Sequence, residues 1–177
     1  MIQYVGGGPP DFLGSFENLT EAKSNGYEVE AVVRPASGVV ASGSYTVAEP
    51  RVSRVSPYYS GGVKPGDALV RRPTHSGSAS VSFTRATFGS IAVSGSYVGK
   101  RPDFDFTQFP SPVVTLPSYV RVDASGSKDV LRFNGGRSSL ALTARVENVF
   151  DKEYQDVFNF STTGRIILLG ARYSGSL

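Results

Sequence analysis

The sequence predicts an all-β protein, an antiparallel up-and-down meander of seven complete strands and one partial strand. Three observations carry that expectation. The composition is that of strands and turns: 20 Gly and 11 Pro, with one Met, no Trp and recurrent Ser, Val and Tyr among 177 residues. Apolar and polar residues alternate with a period of two over segment after segment, with turn signals between them. The connections also alternate, short at one end of the meander and long at the other.

Taken in order, "MIQYV" reads as the tail of a strand. "NLTEAKSNGYEVEAVVRP" then sets Tyr27, Val29, Ala31 and Val33 against Glu28 and Glu30, and "RPASG" turns the chain. Val39, Ala41, Tyr45 and Val47 follow, against Ser42, Ser44 and Thr46. After the long polar segment 49–75, Ala79, Val81 and Phe83 alternate with Ser78, Ser80, Ser82 and Thr84. A turn near Phe88 and Gly89 leads to Ile91, Val93 and Tyr97, set against Ser94, Ser96 and Lys100. The stretch 101–118 reads as a second long loop. Val120, Val122 and Ala124 then oppose Arg121, Asp123 and Ser125, and "FNGGRS" is a compact turn. In "LALTARVENVF" the residues Leu140, Leu142, Ala144, Val146 and Phe150 oppose Thr143, Arg145 and Glu147, and Ile167, Leu169, Ala171, Tyr173 and Leu177 form the last apolar row.

Such rows face a core in a soluble sandwich and lipid in a membrane barrel. Strands of about 10 to 15 residues, short turns at one end and long loops at the other match the barrel, and the polar parity would form a continuous wetted wall. The apolar parity is rich in Val, Ala, Ile, Leu and Tyr and lacks large aromatic clusters. It is therefore read as facing lipid, with Tyr27, Tyr45, Tyr97 and Tyr173 as an interfacial girdle. A small self-closing porin or adhesin barrel and a soluble β-sandwich binding module are the alternatives.

Several function classes recede on composition. No apolar run approaches the roughly 18 to 20 residues of a membrane helix, and "MIQYVGGGPP" does not read as a signal peptide. With no Cys, disulfides and thiolate chemistry are excluded. A net charge of only +3, without interleaved cations and aromatics, gives no nucleic-acid stripe. The one histidine, His75, is read as structural, and the serines lack a G-x-S-x-G elbow. Asp103 and Asp105 in "RPDFDF" are read as a solvated loop tip, with a calcium or acid–base role as the alternative. "VGGGPP" is a loop and not a phosphate cradle, since no helix follows. No enzyme, cofactor or metal site is expected.

Two sets of residues are binding candidates. Arg51, Arg54, Lys64, Arg71 and Arg72, with Tyr58 and Tyr59 among them, would attract an anionic chelate or stack a planar ligand. Their bland alternative is pairing with lipopolysaccharide phosphates or plain solubility. Arg121, Asp123, Arg145 and Glu147 would line a lumen and bond a plug, or pair with one another across strands.

The sequence resembles the TonB-dependent outer-membrane receptors, the cobalamin- and siderophore-receptor-like members above all. "LALTARVENVFDKEYQDVFNFSTTGRIILLGARYSGSL" looks like the family's ending, with its Asn-(Val/Leu)-Phe-Asp-Lys-x-Tyr run and a Gly-Arg pair before the last strand. "NLTEAKSNGYEVEA" is similar to an earlier hairpin of the family, and "LVRRPTHSGSASVSF" to its Arg-Arg-Pro-x-His strand start. The resemblance implies that residues 1–177 are the carboxy-terminal portion of a 22-stranded transmembrane barrel, with plug and signal peptide absent. It also implies uptake of a ferric siderophore or corrinoid energised through TonB, contact with outer-membrane lipid, and a periplasmic carboxy terminus. Leu177 departs from the pattern, since the family ends in Phe or Trp.

Overall fold

The structure, a computed structural model, describes residues 2–5, 15–18, 20–57 and 63–175, with side chains from residue 21 onward except that of residue 134. Eleven strands are described: β1 (Ile2–Val5), β2 (Ser15–Asn18), β3 (Thr20–Ala36), β4 (Val39–Val55), β5 (His75–Arg85), β6 (Gly89–Val98), β7 (Arg101–Phe104), β8 (Val113–Leu116), β9 (Tyr119–Phe133), β10 (Ser138–Glu147) and β11 (Ile166–Gly175). Seven of them form one antiparallel sheet in the order β11-β10-β9-β6-β5-β4-β3. That order is chain order except for the excursion of β7 and β8, which pair only with each other. The alternating segments of the sequence are these seven strands; β3 and β4, at 17 residues each, exceed the expected length.

The short turns follow from local chemistry. Gly38 has φ 80°, and a Cβ there would meet the Thr84 carbonyl oxygen at 2.3 Å, so the β3–β4 turn needs glycine for conformation and for space. Gly135 and Gly136, at φ 65° and 91°, close the β9–β10 turn, where glycine is needed for conformation alone because a Cβ at either would meet open space.

The two faces differ as the alternation requires. Leu169 is 81% exposed, Tyr173 66% and Val29 62%, and Val81, Ile91, Val93, Val120, Leu142 and Ile167 are exposed beside them. Among the described residues only Val52, Leu116 and Ala141 are buried apolar side chains. A soluble monomer rarely leaves so broad an apolar face bare, and among the described residues no second layer covers it to make a sandwich core. On the polar face, hydroxyls bond across strands: Ser42 with Ser80 (2.8 Å), Ser44 with Ser78 (2.9 Å) and Ser90 with Ser127 (2.8 Å).

The sheet is open, with β3 and β11 at its edges. Seven alternating strands run β3 and β11 in the same direction, so joining them would create a parallel pair, which even-stranded antiparallel membrane barrels do not contain. The self-closing alternative would need β1 as an eighth strand. Its four residues pair with β2 instead.

Candidate functional site: the interlocked long loops

The described parts of the long connections, residues 56–57 and 63–74, 99–118 and 148–165, all lie at one end of the sheet. The second of them is not a plain loop. Pro102, Pro110 and Pro112 hide a hairpin that is nevertheless present, β7 against β8, where Pro102 faces Thr115 and spends no ladder N–H.

Asp103, in β7, is fully buried. Its Oδ1 accepts from Arg71 Nε–H (2.8 Å) and from its neighbour's Phe104 N–H (2.8 Å), and its Oδ2 accepts from Phe158 N–H (2.8 Å). One carboxylate thus ties all three long loops together. The Arg71 amide, at φ 58°, also donates to the Pro102 carbonyl (2.7 Å). Burial pushes the Asp103 carboxyl up, but the Phe158 and Phe104 amides and the Arg71 guanidinium together hold it below the ordinary carboxylate value. The solvated tip expected for Asp103 and Asp105 is therefore corrected. Asp105 is buried too, and bonds from the Thr107 hydroxyl and amide and from Gln108 outweigh burial and hold it low.

Arg101 repeats the device with the signs reversed. Buried, it donates through Nη2 to the Gln155 carbonyl (2.7 Å) and to Asp156 Oδ1 (2.9 Å), and lies 5.5 Å from the centre of the Tyr119 ring. Tyr119 donates to the same Asp156 oxygen (2.9 Å) and stacks on Tyr154 at 4.1 Å. The loop 148–165 is shaped by its own acids and amides. Asn148, at φ 52°, accepts from Lys152 N–H (2.8 Å) and donates to Lys152 O (3.0 Å), while Asp151 accepts from Arg165 N–H (2.8 Å).

The basic candidates are not gathered into one surface. Arg71 belongs to the Asp103 hub; Arg54 is paired with Glu21. Arg51 donates to the Gly66 carbonyl (3.1 Å) and lies 3.8 Å from Glu49. Lys64 and Arg72 have no ion-pair partner among the described residues. Tyr58 and Tyr59 lie outside the described residues. On the polar face Arg121 pairs with Asp123 (3.1 Å) and Arg145 with Glu147 (3.0 Å), each within its own strand and not across strands. Asp123 also accepts from Asn148 N–H (2.8 Å), and Arg121 donates weakly to the Tyr154 hydroxyl (3.4 Å). Arg121, Glu147, Asn148 and Tyr154, with Ser161 and Thr162, line a recess of about 290 Å³ where the wall meets the loop. Tyr45 donates to or accepts from His75 Nδ1 at 3.0 Å, an ordinary tie between β4 and β5.

Sequence reasoning missed Arg101, Tyr119, Asn148, Asp151, Tyr154 and Asp156 as a site. The only signal was the Asn-Val-Phe-Asp-Lys-x-Tyr run itself, four of whose members make the bonds above.

An exposed apolar face, a bonded polar face and locked loops at one end meet a matching family. The profile described as "TonB dependent receptor-like, beta-barrel" matches residues 1–149. The chain belongs to this family. Among curated proteins, this TonB-dependent receptor chain is similar to the vitamin B12 transporter BtuB of Vibrio cholerae serotype O1, at 33% identity over 110 residues, 61% of this chain and 16% of the relative. The same match is found in further strains of that organism. The chain thus spans about a sixth of the curated relatives' length.

Among solved structures, the chain resembles the FrpB iron transporter of Neisseria meningitidis (TM-score 0.67, 19% identity, 96% of this chain and 26% of that one). It also resembles the ferric-catecholate import receptor Fiu of E. coli K12 (0.68, 17%, 97% and 23%). A third is a ferripyoverdine receptor of the outer membrane of Pseudomonas aeruginosa (0.65, 18%, 90% and 20%). At these identities the likeness shows the fold.

Proposed function

We propose that this chain is the carboxy-terminal section of an outer-membrane receptor barrel that takes up a scarce solute, a ferric siderophore or a corrinoid, without covalent chemistry. The observation that carries this reading is the uncovered apolar face of a sheet whose long loops are locked together at one end. The apolar row meets lipid, the row of Arg121, Asp123, Arg145 and Glu147 lines the lumen, and the long loops stand outside the cell. The carboxy-terminal end of β11 is then periplasmic. The names of the relatives support both solute classes. A plug and TonB supply the energy coupling in the complete receptor, and Lys64 and Arg72 are the candidate cations for an anionic solute.

The test is uptake by cells. A strain dependent on the complete receptor should accumulate labelled cobalamin or a labelled ferric siderophore, and lose that uptake when TonB is deleted. Uptake of neither, with the receptor present in the outer membrane, would overturn the solute assignment.

A further inference from the structure

The two faces of the sheet treat charge differently. The polar face holds cation–acid pairs: Arg121 with Asp123, Arg145 with Glu147 and Arg132 with Asp129. On the apolar row of β5, β6, β9, β10 and β11, register places two formally charged side chains among the described residues, Arg85 and Lys128. Both are cations, both are exposed, and neither has an ion-pair partner among the described residues. Asp129, next in the chain to Lys128, stands opposite Ala141 on the polar row, where Arg132 neutralises it.

The two cations are neighbours across one glycine. Gly89 faces Arg85 in register, and a Cβ on Gly89 would meet Lys128 Cα at 3.1 Å. They therefore stand two strand spacings apart, roughly 10 Å. Phe83 and Phe88, with ring centres 5.8 Å apart, belong to the same hairpin as Arg85. On the apolar face an open groove of about 560 Å³ passes over Gly126 and Ala144, with Phe88 and Ile91 on one side and Leu142 and Leu169 on the other. Lys128 stands at its short-turn end.

We propose that this groove holds an acyl chain of one anionic glycerophospholipid, whose phosphate sits between Lys128 and Arg85. It rests on the barrel reading above, in which the apolar row meets lipid, and adds which lipid stays bound and where. A cation on a lipid-facing wall is costly at depth and tolerated beside headgroups. Register carries the apolar row past Lys128 to Leu131, Leu140 and Tyr173, so its ammonium has apolar neighbours on both sides. The anion that a bilayer itself brings to such a place is a lipid phosphate. Two cations without an acid favour a net negative headgroup, since the ammonium of phosphatidylethanolamine would stand beside like charge. An acidic peptide is disfavoured, because its backbone amides would lie unpaired against the aliphatic wall of the groove. In the barrel reading this end faces the inner leaflet, which favours a glycerophospholipid over lipopolysaccharide.

The experiment is native mass spectrometry of the full chain in uncharged detergent micelles, with phosphatidylglycerol and phosphatidylethanolamine added in equal amounts. One phosphatidylglycerol should stay bound per chain, at least about tenfold more tightly than phosphatidylethanolamine. R85Q/K128Q should lose that preference, and the charge-conserving R85K/K128R should keep it. Arg172→Gln, on the polar row of the same end, should leave it unchanged. Ala144→Phe fills the groove with both cations intact and should weaken phosphatidylglycerol binding. Equal affinity of the wild type for the two lipids overturns the proposal without recourse to any variant. So does a preference that survives in R85Q/K128Q, full binding in Ala144→Phe, or displacement of the lipid by inorganic phosphate or oligoglutamate at equal concentration. A spin label at position 122 separates the two readings. Shielding there from a lipid-soluble quencher would overturn the barrel reading, whereas quenching there with no lipid preference would overturn the lipid site alone.

Discussion

At the scale of single residues, Asp103 decides most at the loop end. Replacing it by Asn removes the ionic partner of Arg71 and disturbs acceptors for two backbone amides, at a cost of about 1–3 kcal/mol to the local structure. Hydrogen exchange at the Phe104 and Phe158 amides should accelerate accordingly, and unchanged exchange would contradict the hub. The pH dependence has a fixed sign. Because the folded-state carboxyl is held below its unfolded value, its contribution is complete above about pH 4 and is lost as pH falls through the lower folded value. After correction for intrinsic exchange, the difference between wild type and Asp103→Asn should therefore persist at neutral pH and vanish in strong acid. Asn148→Ala should also loosen its loop, since it removes both bonds to Lys152 and leaves an alanine at φ 52°. Cleavage between residues 148 and 165 by a limiting protease measures this; wild-type resistance in the variant would contradict it.

At the scale of elements, the strands were legible because a half-buried ribbon writes its two environments into alternate letters. Tyr27, Val29 and Val33 were enough to assign a face to β3, and that face is the exposed apolar one. The hairpin of β7 and β8 was not legible: prolines at 102, 110 and 112 read as breaks, while a four-residue edge ribbon tolerates them. The hub was not legible either. Arg71 and Phe158 lie 32 and 55 residues from Asp103, and loops carry no periodicity to announce such meetings. The two faces should also respond oppositely to charge. Leu169→Arg places a cation on the lipid row and should cost about 2–4 kcal/mol near the bilayer midplane. Thr143→Arg, on the polar row, should cost little. Urea titrations of the chain refolded in lipid vesicles measure both, and equal costs would deny that the faces differ in solvent.

At the scale of the whole molecule, the sheet has two unpaired edges and one bare apolar face. In water without detergent these should join copies into sheet-rich aggregates, whereas micelles of uncharged detergent should hold the chain dispersed. Size-exclusion chromatography with and without detergent distinguishes the cases, and a monodisperse water-borne monomer would contradict the account. The most direct measurement of the central claim is the environment of the apolar row. Spin labels placed singly at positions 122, 142 and 169 of the chain in lipid vesicles should be relaxed by a lipid-soluble quencher and protected from a water-soluble one. Labels at all three positions shielded from the lipid-soluble quencher would contradict the account.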